Sequence, residues 1–290
     1  MGEQQVSHIF SKREYQDHEE VILNIYTHPV GGIGNRIKNI ISRIRLYQGY
    51  FHTADIHWAI GGSVYSRFFD LFNPEFFFRI NELNHSVFLD YQCREEDLWN
   101  LLLTADEYNS IRDQFEGVVV DLKYEKTPQL LKDLYIPYFQ KLKPSEGVQR
   151  LIDTVQLPEK CVSVHIRHSN DWKMWQRWAE GDIELFIEEM QKYDPDTYFY
   201  LVCHIREIED IMRNIFKDRI ITLPGKDYEK KDNKPHIADM YNLSKTPKMI
   251  ATYGSTFCEC AWWLGECRQE VTVIGSGDRW GQDVASNRVR

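Results

Sequence analysis

Apolar and polar positions alternate regularly in the second half of the chain. Short runs rich in β-branched and aromatic residues predict strands at 161–166, 198–203, 219–223, 248–252 and 270–274. Amphipathic segments between them predict helices at 183–192, 205–216, 236–244 and 257–264. Such alternation is typical of a parallel sheet with helices on both faces, so this half is predicted to be a Rossmann-like domain.

The first half begins in the same way but is less regular. Apolar runs predict strands at 21–26, 54–60, 85–89 and 117–122. A glycine-rich turn at 28–36 leads into a helical pattern over 37–50, and two more helical segments lie within 127–156. We place the domain boundary after Leu157, which divides the chain into residues 1–157 and residues 158–290. The predicted class is α/β, with two Rossmann-like domains facing a cleft.

Aromatic side chains are concentrated in the segment 65–78 of the first half. A stripe of this kind either packs into the core or forms a platform on which a sugar ring stacks. Core packing is the commoner use, and we predict it here.

Composition and charge exclude several classes of protein. The 290 residues carry a net charge of −9, whereas a general nucleic-acid binder needs a basic surface. We find neither an apolar run long enough to span a membrane nor an export signal. The scattered cysteines are typical of reduced thiols. We therefore expect a cytoplasmic protein. The pair Cys258 and Cys260 is spaced too closely for a zinc knuckle, and we predict no metal site.

The strand at 161–166 runs directly into a cluster of polar side chains that begins with Arg167. In open α/β folds, ligands bind in the crevice at the carboxyl ends of the strands. Arg167 therefore either meets an anionic ligand there or is simply solvated at the surface.

Two other loops are expected near the same crevice if the two halves face each other. The turn at 28–36 places glycines before a helix, although such a turn is more often a tight βα connection than a binding loop. In the loop 253–257, Gly254 permits close approach of the backbone, and Ser255 or Thr256 can cap the next helix. The start of that helix is either an anion site or merely a capped end.

Together these motifs carry a resemblance to a known family. The segments GGIGNR at 31–36, VSVHIRHSNDW at 162–172 and the long segment 236–265 resemble, in this order, the NodZ-type fucosyltransferases. Those enzymes belong with the α-1,6-fucosyltransferases and, more distantly, with the protein O-fucosyltransferases. The resemblance implies a GT-B fold with the sugar nucleotide held mainly by the C-terminal domain. It also implies inverting transfer of L-fucose from GDP-fucose without a metal ion.

The resemblance assigns roles to residues of the central strand and a later helix. Arg167 corresponds to the arginine that neutralises the β-phosphate of the departing GDP, and His165 to the histidine beside the nucleotide. Asp239 corresponds to the acidic residue that helps to hold the guanosine. A fixed cation suits a metal-free transferase, because the leaving group needs electrostatic stabilisation.

The remaining assignments concern the two flanking loops. Gly254, Ser255 and Thr256 correspond to the loop whose hydroxyl and N–H groups bind the phosphates. Asn35 and Arg36 correspond to the N-terminal loop that closes over donor and acceptor. We predict catalytic roles for Arg167 and Asn35 and a nucleotide-binding role for the others.

The chain departs from the family pattern just after Arg167. It has His168 where a second arginine is usual, and Trp175 about where an acidic group is usual. An inverting displacement needs a proton acceptor, and Asp171, Glu180 and His28 are candidates, of which we assign Asp171. The tryptophan-rich loop 172–178 either stacks on an acceptor sugar or packs between the domains.

Three functions follow from these observations. The first is a fucosyltransferase with a nucleotide-sugar donor and a glycan or glycolipid acceptor. The second is a transferase of the same fold that uses another donor, such as GDP-mannose. The third is a non-catalytic nucleotide-binding or glycan-binding protein. The acceptor, the linkage and the oligomeric state are not predicted.

Overall fold

The computed structural model describes residues 22–27, 32–47, 53–61, 63–75, 78–84, 101, 103–111, 124, 127–167 and 182–275. Within these ranges the strands form two sheets, and every pair of neighbouring strands is parallel. The predicted strands at 85–89 and 117–122 and the tryptophan-rich loop lie outside the described residues. None of the described helices is both long enough and apolar enough to cross a membrane.

Three described strands form the N-terminal sheet, in the order β1-β2-β3. Its elements are β1 (Ile22–Tyr26), α1 (Ile33–Tyr47), β2 (Thr53–Ile60), α2 (Phe68–Leu71) and β3 (Phe78–Asn84). The first two strands agree with the prediction, whereas β3 was not predicted. Its sequence FRINELN contains polar residues with low strand propensity, so neither an apolar run nor a strict alternation marks it.

The helix α1 begins at Ile33, four residues before the predicted start at 37. Gly34, Asn35 and Arg36 therefore lie in its first turn rather than in a preceding loop. The glycines at 31, 32 and 34 suggested a turn, but a glycine in a first helical turn is tolerated where close packing requires it.

Three helices lie between the two sheets in the part of the chain that the structure describes: α3 (Ala105–Ile111), α4 (Gln129–Lys141) and α5 (Glu146–Asp153). The predicted break near Pro144 is confirmed, because Ser145 caps α5 by accepting a hydrogen bond from the Val148 backbone N–H. The proposed domain boundary falls between the end of α5 and the first strand of the second sheet, and it stays a prediction.

Five of the described strands form the C-terminal sheet, in the order β6-β5-β4-β7-β8. Its elements are β4 (Cys161–Ile166), α6 (Asp182–Gln191), β5 (Tyr198–Cys203), α7 (Arg206–Phe216), β6 (Ile220–Ile221), α8 (Lys234–Leu243), β7 (Lys248–Thr252), α9 (Thr256–Leu264) and β8 (Glu270–Ile274). Four predicted strands match the observed bounds, and β6 is shorter than predicted. The order reverses direction between β4 and β7, which is the topological switch point of a Rossmann-like sheet.

Apolar side chains on opposite faces of the C-terminal sheet enter two different clusters. On β4, Val162, Val164 and Ile166 pack with α6 and α7 in one cluster. Cys161 of the same strand belongs to the other cluster, which also contains side chains of β1, β2, α1, α4, α5, α8 and α9. This second cluster therefore joins the two halves of the chain, and Trp263 of α9 stacks on Phe139 of α4 with ring centroids 5.6 Å apart.

Polar contacts also join the halves near α8. The Asn233 side chain accepts from the backbone N–H groups of Tyr65 and Ser66 at 2.6 and 3.1 Å, and donates to Ser63 O at 3.0 Å. Each polar atom of this buried amide is satisfied by the segment that follows β2. The segment at 63–66 is thus fixed against the start of α8.

The aromatic segment divides between core and surface. Phe68 and Phe72 are buried, and Phe68 packs edge-on against Trp58. Tyr65 and Phe69 are exposed, at 42% and 57%. Core packing is therefore confirmed for Phe68 and Phe72 and is wrong for Tyr65 and Phe69.

Candidate active site

The switch point brings together the carboxyl ends of β4 and β7. The Thr252 hydroxyl donates to His165 O at 2.9 Å and accepts from the Arg167 backbone N–H at 2.8 Å. One side chain thereby fixes the last residues of β4 against the last residue of β7. The Arg167 residue stays exposed to solvent directly beyond the end of β4, where a ligand can reach it.

The loop after β7 turns sharply into α9. Gly254 has a φ of 66°, in the left-handed region that favours glycine. Ser255 is the N-cap of α9, and its hydroxyl accepts from the Cys258 backbone N–H. Residues 254–256 are only half-buried, so the first N–H groups of the helix and its positive end lie within reach of an anion.

The start of α1 packs directly against the start of α9. A Cβ atom on Gly34 would lie 2.7 Å from Thr256 O, a distance that real Cβ contacts essentially never show. The expected convergence of the first and third loops is therefore confirmed, and glycine is required at position 34 for it. Two helix N-termini consequently lie side by side at the site.

Asn35 is nearly buried beside this contact, with 3% of the residue exposed. Its Oδ1 atom has no hydrogen-bond partner among the described residues. A buried acceptor without a partner is costly, and a hydroxyl or N–H group of a ligand would satisfy it. This geometry is compatible with the predicted role of Asn35, which stays a prediction.

His165 is packed tightly at the end of β4, with 6% of the residue exposed. Its ring stacks on Phe257 with centroids 5.0 Å apart, and its Nδ1 lies 2.9 Å from the Cys258 Sγ. Burial lowers the pKa of His165 well below its ordinary value, and the positive charges of nearby residues lower it further. The ring is therefore neutral near pH 7.

Those nearby residues form a basic cluster at the carboxyl edge of the C-terminal sheet. Burial is the largest cause of the low pKa of His165, and four side chains add to it in the order Arg167, His204, Lys226 and His236. Burial also lowers the pKa of His236, and the charge of Lys226 contributes to that shift. Arg167 and Lys226 supply positive charge at this edge in a chain whose net charge is −9, and such local positive charge suits an anionic ligand.

The acidic residue Asp239 lies within this basic region. It is fully buried, and its Oδ1 accepts from the Tyr200 hydroxyl at 2.7 Å. Its Oδ2 accepts from Lys226 Nζ, also at 2.7 Å, and the same Nζ donates to Cys203 O at 2.8 Å. Both oxygens of the carboxylate are thus bonded within the protein.

The structure brings some predicted site residues together and separates another from them. Arg167, His165, Gly254, Ser255 and Thr256 meet at the switch point. Arg36, by contrast, is fully buried, and its guanidinium donates to Ala59 O and Gly61 O at the end of β2.

The guanidinium of Arg36 also lies over the Trp58 ring. In this position it binds the polypeptide backbone, so its predicted contact with the donor stays a prediction. Asp171, His168, Glu180 and His28 lie outside the described residues.

Sequence reasoning missed Lys226, His204, His236 and Cys258. His204 follows a buried strand, as Arg167 does, and this position could have drawn attention to it. Lys226 lies in a charged loop in which several lysines look alike, so only the folded structure distinguishes it. Among the described residues there is no group of three or more metal-ligating side chains that could hold an ion.

Comparisons with known proteins connect this site to a fold. No protein-family profile matches the chain, and no curated protein sequence matches it significantly. Solved structures do match. A NodZ α-1,6-fucosyltransferase soaked with GDP-fucose superposes with a TM-score of 0.53 at 14% identity, covering 85% of this chain and 93% of that one.

Two further structures agree with it. An Arabidopsis thaliana FUT1 mutant in complex with GDP gives a TM-score of 0.55 at 13% identity, covering 95% of this chain and 75% of its own. POFUT1 in complex with GDP gives a TM-score of 0.50 at 9% identity, and the match covers 87% of this chain and 98% of that one. At such identities the similarity is one of fold. The chain therefore has the GT-B fold of the NodZ-like fucosyltransferases, as its motifs predicted.

Proposed function

We propose that the protein is an inverting, metal-independent glycosyltransferase that transfers L-fucose from GDP-fucose to a glycan or glycolipid acceptor. The observation that carries the proposal is the position of Arg167, which lies beside the N-terminus of α9 and within a basic cluster at the switch point. The fold similarity to fucosyltransferases whose structures contain GDP or GDP-fucose supports the same function. We further propose that the enzyme is cytoplasmic.

The geometry suggests how the leaving group would be stabilised. Departure of GDP places negative charge on the β-phosphate, and the donors proposed to meet it are the Arg167 guanidinium, whose backbone N–H is bonded to Thr252, and the N–H groups at the start of α9, which the fold holds in place before the reaction begins. Fixed donors stabilise developing charge without reorganising, which is how a metal-free transferase lowers its barrier. Inversion needs a base on the acceptor side, and Asp171 is our candidate.

The first experiment measures nucleotide binding. GDP at millimolar concentration is expected to raise the melting temperature of the wild-type protein equally in EDTA and in Mg²⁺, because the proposed site needs no ion. Arg167→Ala should abolish most of this shift, whereas Arg150→Ala, at an exposed position of α5, should not. Absence of any shift with GDP, with and without Mg²⁺, contradicts the proposal.

The second experiment identifies the donor. Slow hydrolysis of GDP-fucose but not of GDP-mannose would support fucosyl transfer, and the reverse preference would assign the other donor. Tight GDP binding without hydrolysis or transfer, across a panel of acceptors, would instead indicate a non-catalytic binding protein.

A further inference from the structure

Tyr65 is exposed on a short segment whose backbone is held by both halves of the chain. The side chain of Asn233 binds the backbone of Ser63, Tyr65 and Ser66. From the N-terminal half, the indole of Trp58 donates to Ser66 O at 3.0 Å. We call residues 63–66 the Tyr65 segment. Its position is fixed by these bonds, yet 42% of Tyr65 is exposed.

The neighbours of Tyr65 in this segment are turned inwards. Val64 is fully buried and Ser66 is 8% exposed. Val64 also exchanges two backbone hydrogen bonds with Gly61, at 2.7 and 3.1 Å. A tyrosine that is presented by a fixed backbone offers a large contact area and loses little conformational freedom when a ligand binds. Tyr65 is therefore preorganised for binding.

The Tyr65 segment lies where the carboxyl ends of the two sheets meet. It follows β2, and a Cβ atom on Gly32, just before α1, would lie 4.0 Å from Ser63 Oγ. Asn233 directly precedes α8, which follows β6, so this contact lies at the carboxyl edge of the C-terminal sheet. Tyr65 is thus on the same side of both sheets as the switch point, where we put the donor.

Polar groups beside the Tyr65 ring include both donors and acceptors. Lys231 Nζ lies 5.5 Å from the centre of the ring. The carboxylate of Asp232 is 20% exposed; its Oδ1 accepts from the Ser66 hydroxyl at 3.2 Å, and its Oδ2 lies 3.7 Å from Lys230 Nζ. A pyranose has an apolar C–H face, which packs on an aromatic ring, and hydroxyl groups that both donate and accept hydrogen bonds. The surroundings of Tyr65 match both properties.

We propose that Tyr65 is a stacking platform for the acceptor. A neutral pyranose ring of the acceptor packs its C–H face on the tyrosine ring, and Lys231 and Asp232 bond its hydroxyl groups. The inference rests on the proposed transferase function and locates part of its acceptor subsite. It gives Tyr65 the second of the two uses that an aromatic stripe can have, whereas Phe68 and Phe72 have the first.

Three variants test the platform. Tyr65→Ala removes the ring, and Tyr65→Phe keeps the ring without its hydroxyl. Tyr198→Ala is the matched control, because Tyr198 is 37% exposed but begins β5, at the opposite, amino edge of the C-terminal sheet. The GDP-induced shift in melting temperature checks that each variant is folded.

The probes are the methyl β-glycosides of glucose, galactose and N-acetylglucosamine, with sorbitol as a polyol that has no rigid apolar face. Saturation-transfer NMR, with and without GDP, measures their binding. Tyr65→Ala should raise the dissociation constant for the bound glycosides by about five- to tenfold, whereas Tyr65→Phe and Tyr198→Ala should change it by less than about twofold. In the wild type, irradiation of aromatic protons should saturate the C–H protons of one ring face most strongly. That pattern tests the platform without any variant.

Four results would overturn the inference. They are a wild type that binds none of the glycosides, a Tyr65→Ala variant that binds them as tightly as the wild type, equal binding of sorbitol, and saturation spread evenly over the sugar. A Tyr65→Ala variant that changes the sedimentation of the protein but not its sugar affinity would instead assign the ring to a contact between two copies of the chain. If GDP binds and no glycoside does, the platform fails and the proposed function stands; if glycosides bind through Tyr65 and GDP does not bind, the proposed function fails and the platform stands.

Discussion

Gly34 and Thr256 are so close that the first turns of α1 and α9 have no room for a side chain between them. A Cβ on Gly34 would lie 2.7 Å from Thr256 O and 2.9 Å from Thr256 Oγ1. Backbone atoms of α9 cannot move away without moving the helix. The absence of a side chain at position 34 therefore allows the first turn of α1 to pack against the first turn of α9.

Gly34→Ala should therefore destabilise the protein, although alanine is normally the better helix residue. We expect a loss of about 1–3 kcal/mol from overpacking and weaker GDP binding, because the start of α9 is displaced. Gly147→Ala is the control: its Cβ would meet no atom closer than 3.8 Å, and helix propensity should make it neutral or stabilising by up to about 1 kcal/mol. Urea unfolding of both variants measures the difference, and equal effects would contradict the close contact.

Cys258 should fix the orientation of His165 through the contact between Sγ and Nδ1. Burial raises the pKa of Cys258 to about 12, so it stays a thiol, and the neutral histidine can exchange a hydrogen bond with it. Cys258→Ser should keep this bond and most of the affinity for GDP. Cys258→Ala should leave Nδ1 unpaired and cost about 1–3 kcal/mol of stability.

The tautomer of His165, measured by NMR of labelled histidine, provides a readout that packing alone would not change. We expect it to be preserved in Cys258→Ser and altered in Cys258→Ala. Cys260→Ala is a suitable control, since it removes another buried thiol of α9 that bonds Gly34 O rather than His165. An unchanged tautomer in Cys258→Ala would mean that the contact with the Cys258 thiol does not set the tautomer of His165.

Acid should destabilise the protein as the pH falls through about 6.5, where unfolded histidines take up protons. Burial lowers the pKa values of His165 and His236 in the folded state, so over this range the unfolded chain binds more protons than the folded one. The melting temperature should therefore fall between pH 7.5 and 5.5. Bound GDP should reduce the fall, because its negative charge favours protonated histidines, and His236→Gln should flatten the profile. A melting temperature that does not depend on pH in this range would contradict the prediction.

The ion pair between Lys38 and Glu259 should be sensitive to loss of either partner. Their charged atoms are 2.6 Å apart, with 0% and 2% of the side chains exposed, and Trp263 Nε1 donates to the other Glu259 oxygen at 3.1 Å. Lys38→Met should cost about 3–5 kcal/mol, because it leaves a buried charge unpaired. The double variant Lys38→Met/Glu259→Gln should recover much of this loss.

Lys160→Met is the control for the buried pair. Lys160 pairs with Asp196 at the surface, where the two side chains are 63% and 60% exposed, and we expect Lys160→Met to unfold at nearly the same urea concentration as the wild type, because solvent screens such a pair. Chemical unfolding compares the three variants. If Lys38→Met cost no more than Lys160→Met, the pair between α1 and α9 would contribute little to stability.

The sequence predicted the C-terminal sheet well because local chemistry marks its strands. The β4 run CVSVHI and the β7 run KMIAT have turn or polar residues beyond each end, so their bounds followed directly. Strand β3 was missed because FRINELN has no such pattern, and its place is set by pairing with β2. The start of α1 was placed too late because a contact with Thr256, distant in sequence, decides it.

The candidate site could be predicted only in part, because several of its contacts join residues that are distant in sequence. Arg167 and Ser255 follow strands of the sheet, and that position suggested their roles. The bond between Lys226 and Cys203 joins a loop residue to the last residue of β5, and the contact between Cys258 and His165 joins α9 to β4. No local sequence pattern marks either contact, because each depends on how strands and helices pack in the folded chain.

The apolar cluster that contains side chains of both sheets has a consequence for how the chain unfolds. Trp263 of the C-terminal half packs on Phe139 and Tyr135 of the N-terminal half, and this cluster continues into both sheets. Neither half can expose its share of these side chains without exposing that of the other. The two halves should therefore melt in one cooperative transition, and cutting the chain at the boundary near residue 157 should yield two fragments that do not fold on their own.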